Sequence, residues 1–479
     1  MAVLQNLEPK RVFAFFEQLC AIPHGSGNTK AVSDWLTAFA AQRGLEVHQD
    51  RMGNVIIIKE AAPGYEGAEP IILQGHMDMV CEQAPDCRKD MTREGLDLAV
   101  EGDTVYARGT TLGGDDGIAV AMALAILDDP AMAHPRVEAV FTVDEEVGML
   151  GAAELDVSPL KGRRMLNIDS EVEGIFTVSC AGGNLTRCVI PVRREAFGDE
   201  ALTITVGGLR GGHSGMEIHK GLGNACMLLG RVLAACARKT KLRVCAVSGG
   251  LKDNAIPREA HALVAAADAR EAEAVCARLA AELKNEYQTT DPEVFVAVQA
   301  AKLDAAPMDE DSTRRVLALL TCAPNGVQVM SAEIPGLTQT SLNLGILTTE
   351  EETVTASFCI RSSVESQKRM LVERLECLIV LLGGRMEVSG DYPGWEYRRE
   401  SPLRELLTEV YREQYGREPE IEAIHAGVEC GLMAGKLPGL DCVSIGPDLT
   451  EIHTCRERMH IASVQRVWAM VTEALRRMK

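Results

Sequence analysis

The chain has 479 residues, more than one ordinary hydrophobic core holds, so its length predicts two domains. Apolar residues make up 46% and charged residues 25% of the chain, a balance typical of globular proteins, and its apolar runs are far shorter than the about 20 residues that a membrane span needs. The formal net charge of −20 argues against nucleic acid and anionic membranes as partners.

The cysteines indicate a reducing compartment. There are 15 of them, an odd number, and they are scattered along the chain without a Cys-x-x-Cys pair. Such cysteines are typical buried apolar residues of cytoplasmic proteins. The N-terminal run MAVLQNLEPKRVFAFFEQL lacks the basic start, apolar core and small-residue cleavage site of a secretory signal. We therefore interpret it as an amphipathic helix of a cytoplasmic protein.

Residues 1–185 alternate between helical and extended patterns. Apolar spacing predicts helices over residues 13–19, 30–41 and 117–127. Short apolar runs predict strands over residues 54–59, 70–74, 138–143 and 165–168. This alternation is typical of an α/β fold with a mostly parallel central sheet.

From about residue 186 the pattern changes to short β-rich runs between long helices. Strands are predicted over 202–206, 243–248, 262–266 and 294–298, and helices over 221–238, 270–287 and 364–382. This order predicts an α+β unit with a helix-covered sheet. The glycine-rich stretch 383–394 marks a boundary, Ser401-Pro402 opens a helix, and 462–477 forms the last one. We predict one domain from residues 1–185 and 396–479, with a second domain, residues 186–395, inserted into it.

The first candidate site follows the strand predicted at residues 70–74. His76 and Asp78 are two residues apart, so they point the same way on an extended chain. At the carboxyl end of a parallel strand they would face the edge where α/β proteins place their active sites. His76 is then a candidate metal ligand, and Asp78 a candidate partner that orients its ring. A surface His–Asp pair is the structural alternative.

The run RGTTLGGDDG at residues 108–117 comes directly before a predicted helix. Its glycines let the backbone approach a ligand closely. Asp115 and Asp116 suit a helix start, where carboxylates cap the first turn and interact with the helix dipole. One of them could instead bridge two metal ions.

Acids follow two further strands. Neighbouring residues on a strand point opposite ways, so one of Glu145 and Glu146 could bind a metal while the other acts as a base. A solvated acidic loop is the alternative. Asp169 ends the strand at 165–168, where Asp is also a common turn former. From the far end of the chain, His453 precedes the last helix.

Together these residues form a stronger pattern than any of them alone. Strand ends of one α/β sheet converge, and a segment from the other end of the chain adds a fifth residue. Two histidines and three carboxylates match the nitrogen and oxygen ligands of zinc. A pair of metal ions needs one bridging carboxylate and about two more ligands for each metal, which five residues supply.

The runs HMDMV, GTTLGGDDG, TVDEEVG and NID, with the distal histidine, resemble the zinc exopeptidase family that includes aminoacylase, tripeptidase T and carnosinase. The closer resemblance is to its aminoacyl-histidine dipeptidase branch, and it spans nearly the whole chain. It rests on the runs LQGHMDMV, ARGTTLGGDDGIAVAMALAIL, GLRGGHSGMEIHKGLGNA, DNAIPRE and HAGVECGL. The resemblance implies an α/β catalytic domain and an inserted α+β domain that serves as lid and dimerisation domain.

The resemblance also implies a ligand set for two zinc ions. The implied ligands are His76 and Asp169 for one ion, Glu146 and His453 for the other, and Asp115 as the bridge. A cis peptide bond between Asp115 and Asp116 is implied as well. Where the branch has Asn after the bridging acid, this chain has the charged Asp116. Where it has His-Ser-Pro and then an acid, this chain has His453-Thr454-Cys455-Arg456-Glu457, so His460 is a rival ligand.

The other implied roles concern catalysis and substrate binding. Glu145 would be the general base, and Asp78 would orient His76. The implied substrate-binding residues are His213, Asn254 and Arg361 in the inserted domain and Gly427 on the catalytic side. Without the resemblance, the run GGHSG is only a glycine-rich turn, and Arg361 a structural ion pair.

The resemblance implies a homodimer that hydrolyses dipeptides, Xaa-His and others without strict specificity, and the cysteine pattern predicts that it is cytoplasmic. Two Zn²⁺ ions, for which Mn²⁺ or Co²⁺ could substitute, would activate a water molecule. A tripeptidase, a carboxypeptidase or an N-acyl amino-acid deacylase with the same metal site is the alternative. A binding protein with a decayed site is disfavoured, because every implied ligand and the base are present.

Overall fold

A computed structural model describes residues 3–197, 200–303 and 305–479. The chain forms two compact units. Unit 1 comprises Met1–Ser179, Tyr397–Ala423 and Val428–Lys479, and unit 2 comprises Cys180–Glu396 and Ile424–Gly427. The predicted insertion, residues 186–395, lies within unit 2. Unit 2 begins earlier, at Cys180, and includes the short segment Ile424–Gly427 because the backbone N–H of Ala181 donates to the carbonyls of Ile424 and Ala426.

The N-terminal part of unit 1 contains four helices and eight strands, the last of which ends at the start of unit 2. The helices are α1 (Lys10–Cys20), α2 (Lys30–Arg43), α3 (Gly114–Asp128) and α4 (Leu150–Glu154). The strands are β1 (Glu46–Gln49), β2 (Val55–Lys59), β3 (Ile71–His76), β4 (Leu98–Glu101), β5 (Thr104–Ala107), β6 (Val137–Thr142), β7 (Arg164–Asn167) and β8 (Ile175–Cys180).

Unit 2 contains eleven strands and four α-helices among its described residues. The strands are β9 (Gly182–Pro191), β10 (Glu200–Gly207), β11 (Gly212–His213), β12 (Leu242–Gly249), β13 (Ala255–Ile256), β14 (Ala260–Ala266), β15 (Phe295–Ala301), β16 (Gly326–Met330), β17 (Thr338–Thr349), β18 (Thr353–Ser362) and β19 (Arg385–Tyr392). The helices are α5 (Ala225–Ala237), α6 (Ala269–Glu286), α7 (Glu310–Cys322) and α8 (Glu365–Leu381).

The C-terminal part of the chain returns to unit 1 and completes its sheets. Its elements are α9 (Pro402–Tyr415), β20 (Glu420–Ile424), α10 (Glu429–Lys436), β21 (Asp441–Ser444), β22 (Leu449–Thr450), β23 (Arg458–His460) and α11 (Ile461–Arg477). The last residue of β20, Ile424, is the first of the short segment that groups with unit 2.

The central sheet of unit 1 has the strand order β1-β2-β6-β3-β7-β21-β8-β20. The pairs β6–β3, β3–β7 and β7–β21 are parallel, and β1–β2, β2–β6 and β21–β8 are antiparallel. Strands β3 and β6 are buried along their whole length, as expected for inner strands covered on both faces. The carboxyl ends of β3, β6 and β7 therefore lie side by side, with His76 as the last residue of β3 and Glu146 and Asp169 in the segments that follow β6 and β7.

Unit 2 is built on a second sheet, of order β15-β10-β14-β12-β17-β18-β9-β19, with β16 paired to β17. Its assigned pairings are antiparallel, and its core includes buried residues from α5, α6, α7 and α8. The mixed α/β fold and a helix-covered second sheet were predicted. Helix α7 was not predicted, and strand β19 runs through the stretch 383–394 that was interpreted as a glycine-rich boundary. No helix among the described residues is long and apolar enough to cross a membrane.

Candidate metal centre

Asp115 occupies the centre of the predicted ligand set. It stands at the start of α3, where Gly113 has φ +67° and Asp115 itself has an extended backbone. The bond from Asp115 to Asp116 is cis, as predicted. Asp115 Oδ1 lies 3.1 Å from His76 Nε2, and Asp115 Oδ2 lies 3.2 Å from His453 Nε2. The two oxygens of one carboxylate therefore face two different histidines, which is the arrangement of a bridging ligand.

Each histidine also faces a carboxylate of its own. His76 Nε2 lies 3.4 Å from Asp169 Oδ1, and His453 Nε2 lies 3.0 Å from Glu146 Oε1. The donor atoms thus form two groups that share Asp115. Ligands at zinc bond lengths of about 2.0–2.2 Å are about 3.4 Å apart in a tetrahedral arrangement. The spacing between each histidine and its two carboxylates is compatible with a divalent ion, and the donor atoms of Asp115, Glu146 and His453 lie within 4.8 Å of one another, close enough to hold one.

The local charge balance also suits a cation. Burial opposes protonation of His76, but Asp169 and Asp115 raise its pKa well above the usual value. Hydrogen bonds from His453 to Asp115 and Glu146 raise the pKa of His453 to about 10. The surrounding carboxylates therefore favour positive charge at both histidines, as a site for a cation requires.

Asp116 takes part in the same region in a different way. Its Oδ2 accepts a hydrogen bond from the backbone N–H of His76 at 3.2 Å, and the side chain is buried. Burial, and then the charge of Asp169, raise the pKa of Asp116 well above its usual range. A Cβ on Gly75 would lie only 2.4 Å from this oxygen, so glycine is required there. Asp116, His76 and Asp169 form one possible ligand group, whereas Asp115 forms another with Glu146 and His453.

Asp78 supports both His76 and the acidic loop. Its backbone oxygen lies 3.0 Å from His76 Nδ1, and its carboxylate lies 3.5 Å from the same nitrogen. The carboxylate accepts from Ser26 Oγ at 2.8 Å and from the backbone N–H groups of Glu145 and Glu146 at 3.1 and 3.4 Å. This arrangement leaves Nε2 of His76 directed toward Asp115, with the nearer contact to Nδ1 coming from the Asp78 backbone oxygen, and the orienting role of Asp78 stays a prediction.

Glu145 lies in the same region but does not contact Asp115, the carboxylate that faces both histidines. A possible ligand group brings one oxygen of Glu145 within 4.8 Å of His76 and Glu146. Burial, followed by the charge of Asp169, raises its pKa to about 9. Without a bound cation, Glu145 therefore carries a proton at neutral pH.

A polar layer beneath the ligands was not predicted. Asn167 Nδ2 donates to Gln74 Oε1 at 2.6 Å, Thr142 Oγ1 donates to Glu429 at 2.6 Å, and Gln74 Nε2 also donates to Glu429. Gln74 and Asn167 each precede a candidate ligand by two residues, so they point the same way as the ligand. A polar side chain at these positions of an apolar strand was the available signal. Glu429 lies in the run HAGVECGL that carries the resemblance, but no local pattern points to its contact with Gln74, 355 residues away.

The rival ligand His460 lies apart from these groups. Its backbone N–H donates to the carbonyl of Asp448, and it directly precedes α11 without a side-chain hydrogen bond to the first turn. Among the described residues, the possible ligand groups include His453 and not His460. Glu457, the acid that follows His453, is buried against the loop before α3.

The predicted substrate-binding residues lie together in unit 2. The backbone N–H of Ser214 donates to the carbonyl of Asn254 at 2.9 Å. A Cβ on Gly215 would lie 3.0 Å from the His213 ring and 3.2 Å from Arg361 Nε, so these side chains meet at Gly215. Gly427 was expected on the catalytic side but belongs to unit 2, and a Cβ there would lie 2.7 Å from the Tyr392 ring.

Several buried polar atoms in this cluster have no hydrogen-bond partner within the described chain. They are Arg361 Nε, Ser214 Oγ and His425 Nδ1. His425 was not among the predicted site residues. Arg361 Nη1 donates to the Tyr392 hydroxyl at 3.2 Å, and Ser341 Oγ lies 2.7 Å from His425 Nε2. Burial and the Arg361 charge lower the pKa of His425 to about 3. Because unpartnered buried polar atoms are costly, this cluster is suited to a polar or anionic ligand.

Comparison with known proteins places this site in a family. The chain is 38% identical over 480 residues to the cytosol non-specific dipeptidase of Escherichia coli (strain K12), covering 99% of both chains. The crystal structure of aminoacylhistidine dipeptidase from Vibrio alginolyticus matches with a TM-score of 0.95 and 37% identity, covering 99% of this chain and 98% of that one. The aminopeptidase PepT from Bacillus cereus ATCC 10987, at 17% identity and a TM-score of 0.55 over 98% of both chains, shares the fold.

The family description, peptidase family M20/M25/M40, matches residues 72–477, the span that carries every candidate ligand. The resemblance predicted from the motifs is confirmed, and with it the assignment of the chain as a metallopeptidase-type hydrolase. This chain belongs to peptidase family M20/M25/M40.

Proposed function

We propose that this protein is a metal-dependent dipeptidase that hydrolyses Xaa-His and other dipeptides. The observation that carries the proposal is the Asp115 carboxylate, whose two oxygens face His76 and His453, each with its own acid. The full-length similarity to proteins named as dipeptidases supports the substrate class.

The proposed cofactor is a pair of Zn²⁺ ions, with Mn²⁺ or Co²⁺ as substitutes. One ion would be held by His76, Asp115 and Asp169, and the other by His453, Asp115 and Glu146. Two imidazoles and three carboxylates suit zinc, and the donor spacing of 3.0–3.4 Å is compatible with it. Zinc held by these residues would supply Lewis acidity and would lower the pKa of a water molecule toward neutrality.

Glu145 is the proposed general base. It takes a proton from the attacking water and passes it to the leaving amine. The backbone N–H of Glu145 is fixed by Asp78, which also faces His76, so one residue holds both the base and a ligand in place. Glu145 lies close to the candidate ligands His76 and Glu146, which places it within reach of a water molecule at the site.

Unit 2 supplies the proposed substrate-binding groups. Arg361 is 8% exposed and has an unpartnered Nε, so its planar guanidinium is available for the C-terminal carboxylate of a dipeptide. His213 is a proposed donor to the oxyanion that forms on the scissile carbonyl. Asn254 and Gly427 complete the proposed set. We also propose that unit 2 serves as a lid and dimerisation domain of a cytoplasmic homodimer.

A substrate panel with metal analysis of the same sample tests the proposal. Hydrolysis of Ala-His and other dipeptides should exceed that of tripeptides and of N-acetyl amino acids, with about two metal ions bound per chain. Faster turnover of N-acetyl amino acids or tripeptides would favour the deacylase or tripeptidase alternative. Failure to cleave dipeptides after addition of zinc, manganese or cobalt would overturn the proposal.

A further inference from the structure

The segment that carries His453 also buries a carboxylate against the loop that carries Asp115. Glu457 is 3% exposed. Its Oε2 accepts from the backbone N–H groups of Leu112 at 2.7 Å and Gly113 at 3.1 Å, and its Oε1 accepts from Gly114 at 2.8 Å and Asp115 at 3.4 Å. One carboxylate therefore holds four consecutive N–H groups, the last of which belongs to Asp115 itself.

The local sequence permits this approach. Gly113 has φ +67°, a conformation that glycine adopts without strain. A Cβ on Gly114 would lie 3.2 Å from Glu457 Oε1, so the glycine leaves room for the carboxylate. Successive backbone N–H groups that converge on one point carry partial positive charge, and an anion is the best partner for them. The two glycines that suggested close approach to a ligand thus admit Glu457.

Glu457 lies four residues after His453 in a short, tightly folded loop. Its backbone N–H donates to the carbonyl of Thr454 at 3.1 Å, and His453 has φ +57°. His453, at one end of the loop, thus lies next to Asp115 Oδ2. Glu457, at the other end, accepts a hydrogen bond from the backbone N–H of Asp115. His453 lies 338 residues from Asp115 in the chain, so residues next to Asp115 in the sequence do not fix the distance between the two side chains.

We propose that Glu457 is a positioning residue that sets the separation between Asp115 and His453 and so determines metal affinity at the group of Asp115, Glu146 and His453. The proposal rests on the metal-binding role proposed above. It assigns to Glu457 no contact with metal or substrate. Its effect passes through the backbone of residues 112–115.

Glu457→Gln tests this role, because it keeps the size of the side chain but places an amide N–H₂ against two backbone N–H groups. Zinc affinity measured by competition with a chromogenic chelator should fall about 10- to 100-fold for one of two ions. In the cobalt(II) form, the visible absorption bands of that ion should shift. Glu457→Asp, which retains the charge, should lose less affinity than Glu457→Gln.

Glu138→Gln is the matched control. Glu138 is fully buried and accepts from the backbone N–H groups of Lys161 and Gly162 at 3.0 Å, but it lies near the start of β6, at the end opposite the ligands. This variant should lose stability and keep the zinc affinity and cobalt spectrum of the wild type. If Glu457→Gln fails to fold, the comparison is made with Glu457→Asp.

The outcomes separate this inference from the proposed function. Wild-type protein with two tightly bound ions, together with unchanged affinity in Glu457→Gln, would overturn the role of Glu457 alone. Equal losses of affinity in the Glu457 and Glu138 variants would also overturn it, because a general loss of stability would then be sufficient. A wild-type chain that binds no metal would overturn the proposed function itself.

Discussion

At the scale of single residues, the carboxylates of the candidate site differ in their neighbours, and their pKa values differ as a result. Asp115 has a histidine at each oxygen, and these hydrogen bonds hold its pKa well below the usual range despite burial. Glu145 and Asp169 are also buried, but burial and neighbouring acids raise their pKa values, to about 9 and about 6. These differences follow from position in the fold and support separate roles for the acids.

Replacing Glu145 by Gln should reduce kcat by about 10²- to 10⁴-fold, because the variant cannot accept the proton of the attacking water. Metal content should stay near that of the wild type, since the proposed ligands are retained. Steady-state hydrolysis of Ala-His and elemental analysis of the same sample measure both quantities. Glu171→Gln is the control. Like Glu145, Glu171 is an acid whose pKa is raised, in this case to about 7 by burial and the charges of Asp115 and Asp169. Unlike Glu145, it belongs to none of the possible ligand groups among the described residues. Unchanged turnover in Glu145→Gln would contradict its role as base.

Arg361→Lys should weaken recognition of the substrate carboxylate, because Lys cannot form the planar two-bond contact of a guanidinium. We expect kcat/KM for a dipeptide to fall on the order of 100-fold, while kcat/KM for the corresponding C-terminal amide changes less. Arg231→Lys is the control, since Arg231 pairs with Glu286 on the surface of unit 2. Equal losses for the acid and the amide would show that Arg361 does not bind the carboxylate.

At the scale of secondary-structure elements, α9 links local sequence signals to packing in unit 1. Ser401 precedes the helix, its Oγ accepts from the backbone N–H of Arg404 at 3.0 Å, and Pro402 occupies the first turn. Leu403, Leu407 and Val410 are buried on one face. The sequence thus predicted the start of the helix, because the cap depends on residues close together in the chain.

Ser401→Ala should lower the free energy of unfolding of unit 1 by about 1–2 kcal/mol, because it removes the cap of α9 and the hydroxyl that donates to Asp441. Thr408→Ala, within the same helix, should change stability by less than about 0.5 kcal/mol. Urea denaturation followed by circular dichroism gives both values. Equal effects of the two substitutions would show that the cap contributes nothing.

Elements defined by distant contacts were harder to predict. Strand β19 contains Gly390 and follows Gly383, so composition favoured a loop, and the segment becomes a strand by pairing with β9. Helix α7 did carry local signals that were missed, namely Asp309, whose side chain accepts from Ser312 N–H, and apolar residues at helical spacing. Gly427 was placed in the wrong unit because the backbone bonds of Ala181 hold the neighbouring segment.

The candidate ligands were predictable for the opposite reason. His76, Glu146 and Asp169 follow apolar strands that are recognisable in isolation, and parallel strands bring their carboxyl ends together. The supporting residues Glu429 and Glu457 could not be identified in the same way, because their partners lie more than 280 residues away in the chain. Prediction from sequence therefore reached the proposed ligands but missed Glu429 and the contacts that hold the ligand loops.

At the scale of the whole molecule, the net charge of −20 includes a concentrated group of acids in unit 1. Burial raises the pKa of Glu429 from 4.5 to about 7, and burial with the charges of Asp115 and Asp169 does the same for Glu171. An acid with a raised folded-state pKa contributes stability that is complete below its unfolded pKa and is lost as the pH rises through the folded value. His453 acts in the same direction, with stability complete below pH 6.5 and lost as the pH rises through about 10.

The metal-free protein should therefore become less stable as the pH rises from 5 to 8, with the loss from these two acids falling between about pH 4.5 and 7. For Glu429, which is fully buried, a pKa change from 4.5 to about 7 corresponds to a loss on the order of 3 kcal/mol. Bound divalent ions would offset the negative charge, so the metal-loaded protein should show a smaller dependence on pH. Asp115, with its pKa lowered, loses stability only below its usual pKa of 3.8 and does not affect this range.

Glu429→Gln isolates this effect, because Gln retains an oxygen that can accept from Gln74 and Thr142 but cannot ionise. In the presence of a chelator, the urea midpoint of the wild type should fall between pH 5 and 8, and that of Glu429→Gln should fall less. The variant should therefore be the more stable protein at pH 8. The same slope in both proteins would show that ionisation of Glu429 is not coupled to folding, and a steeper slope with zinc than with chelator would contradict the expected charge compensation by the metal.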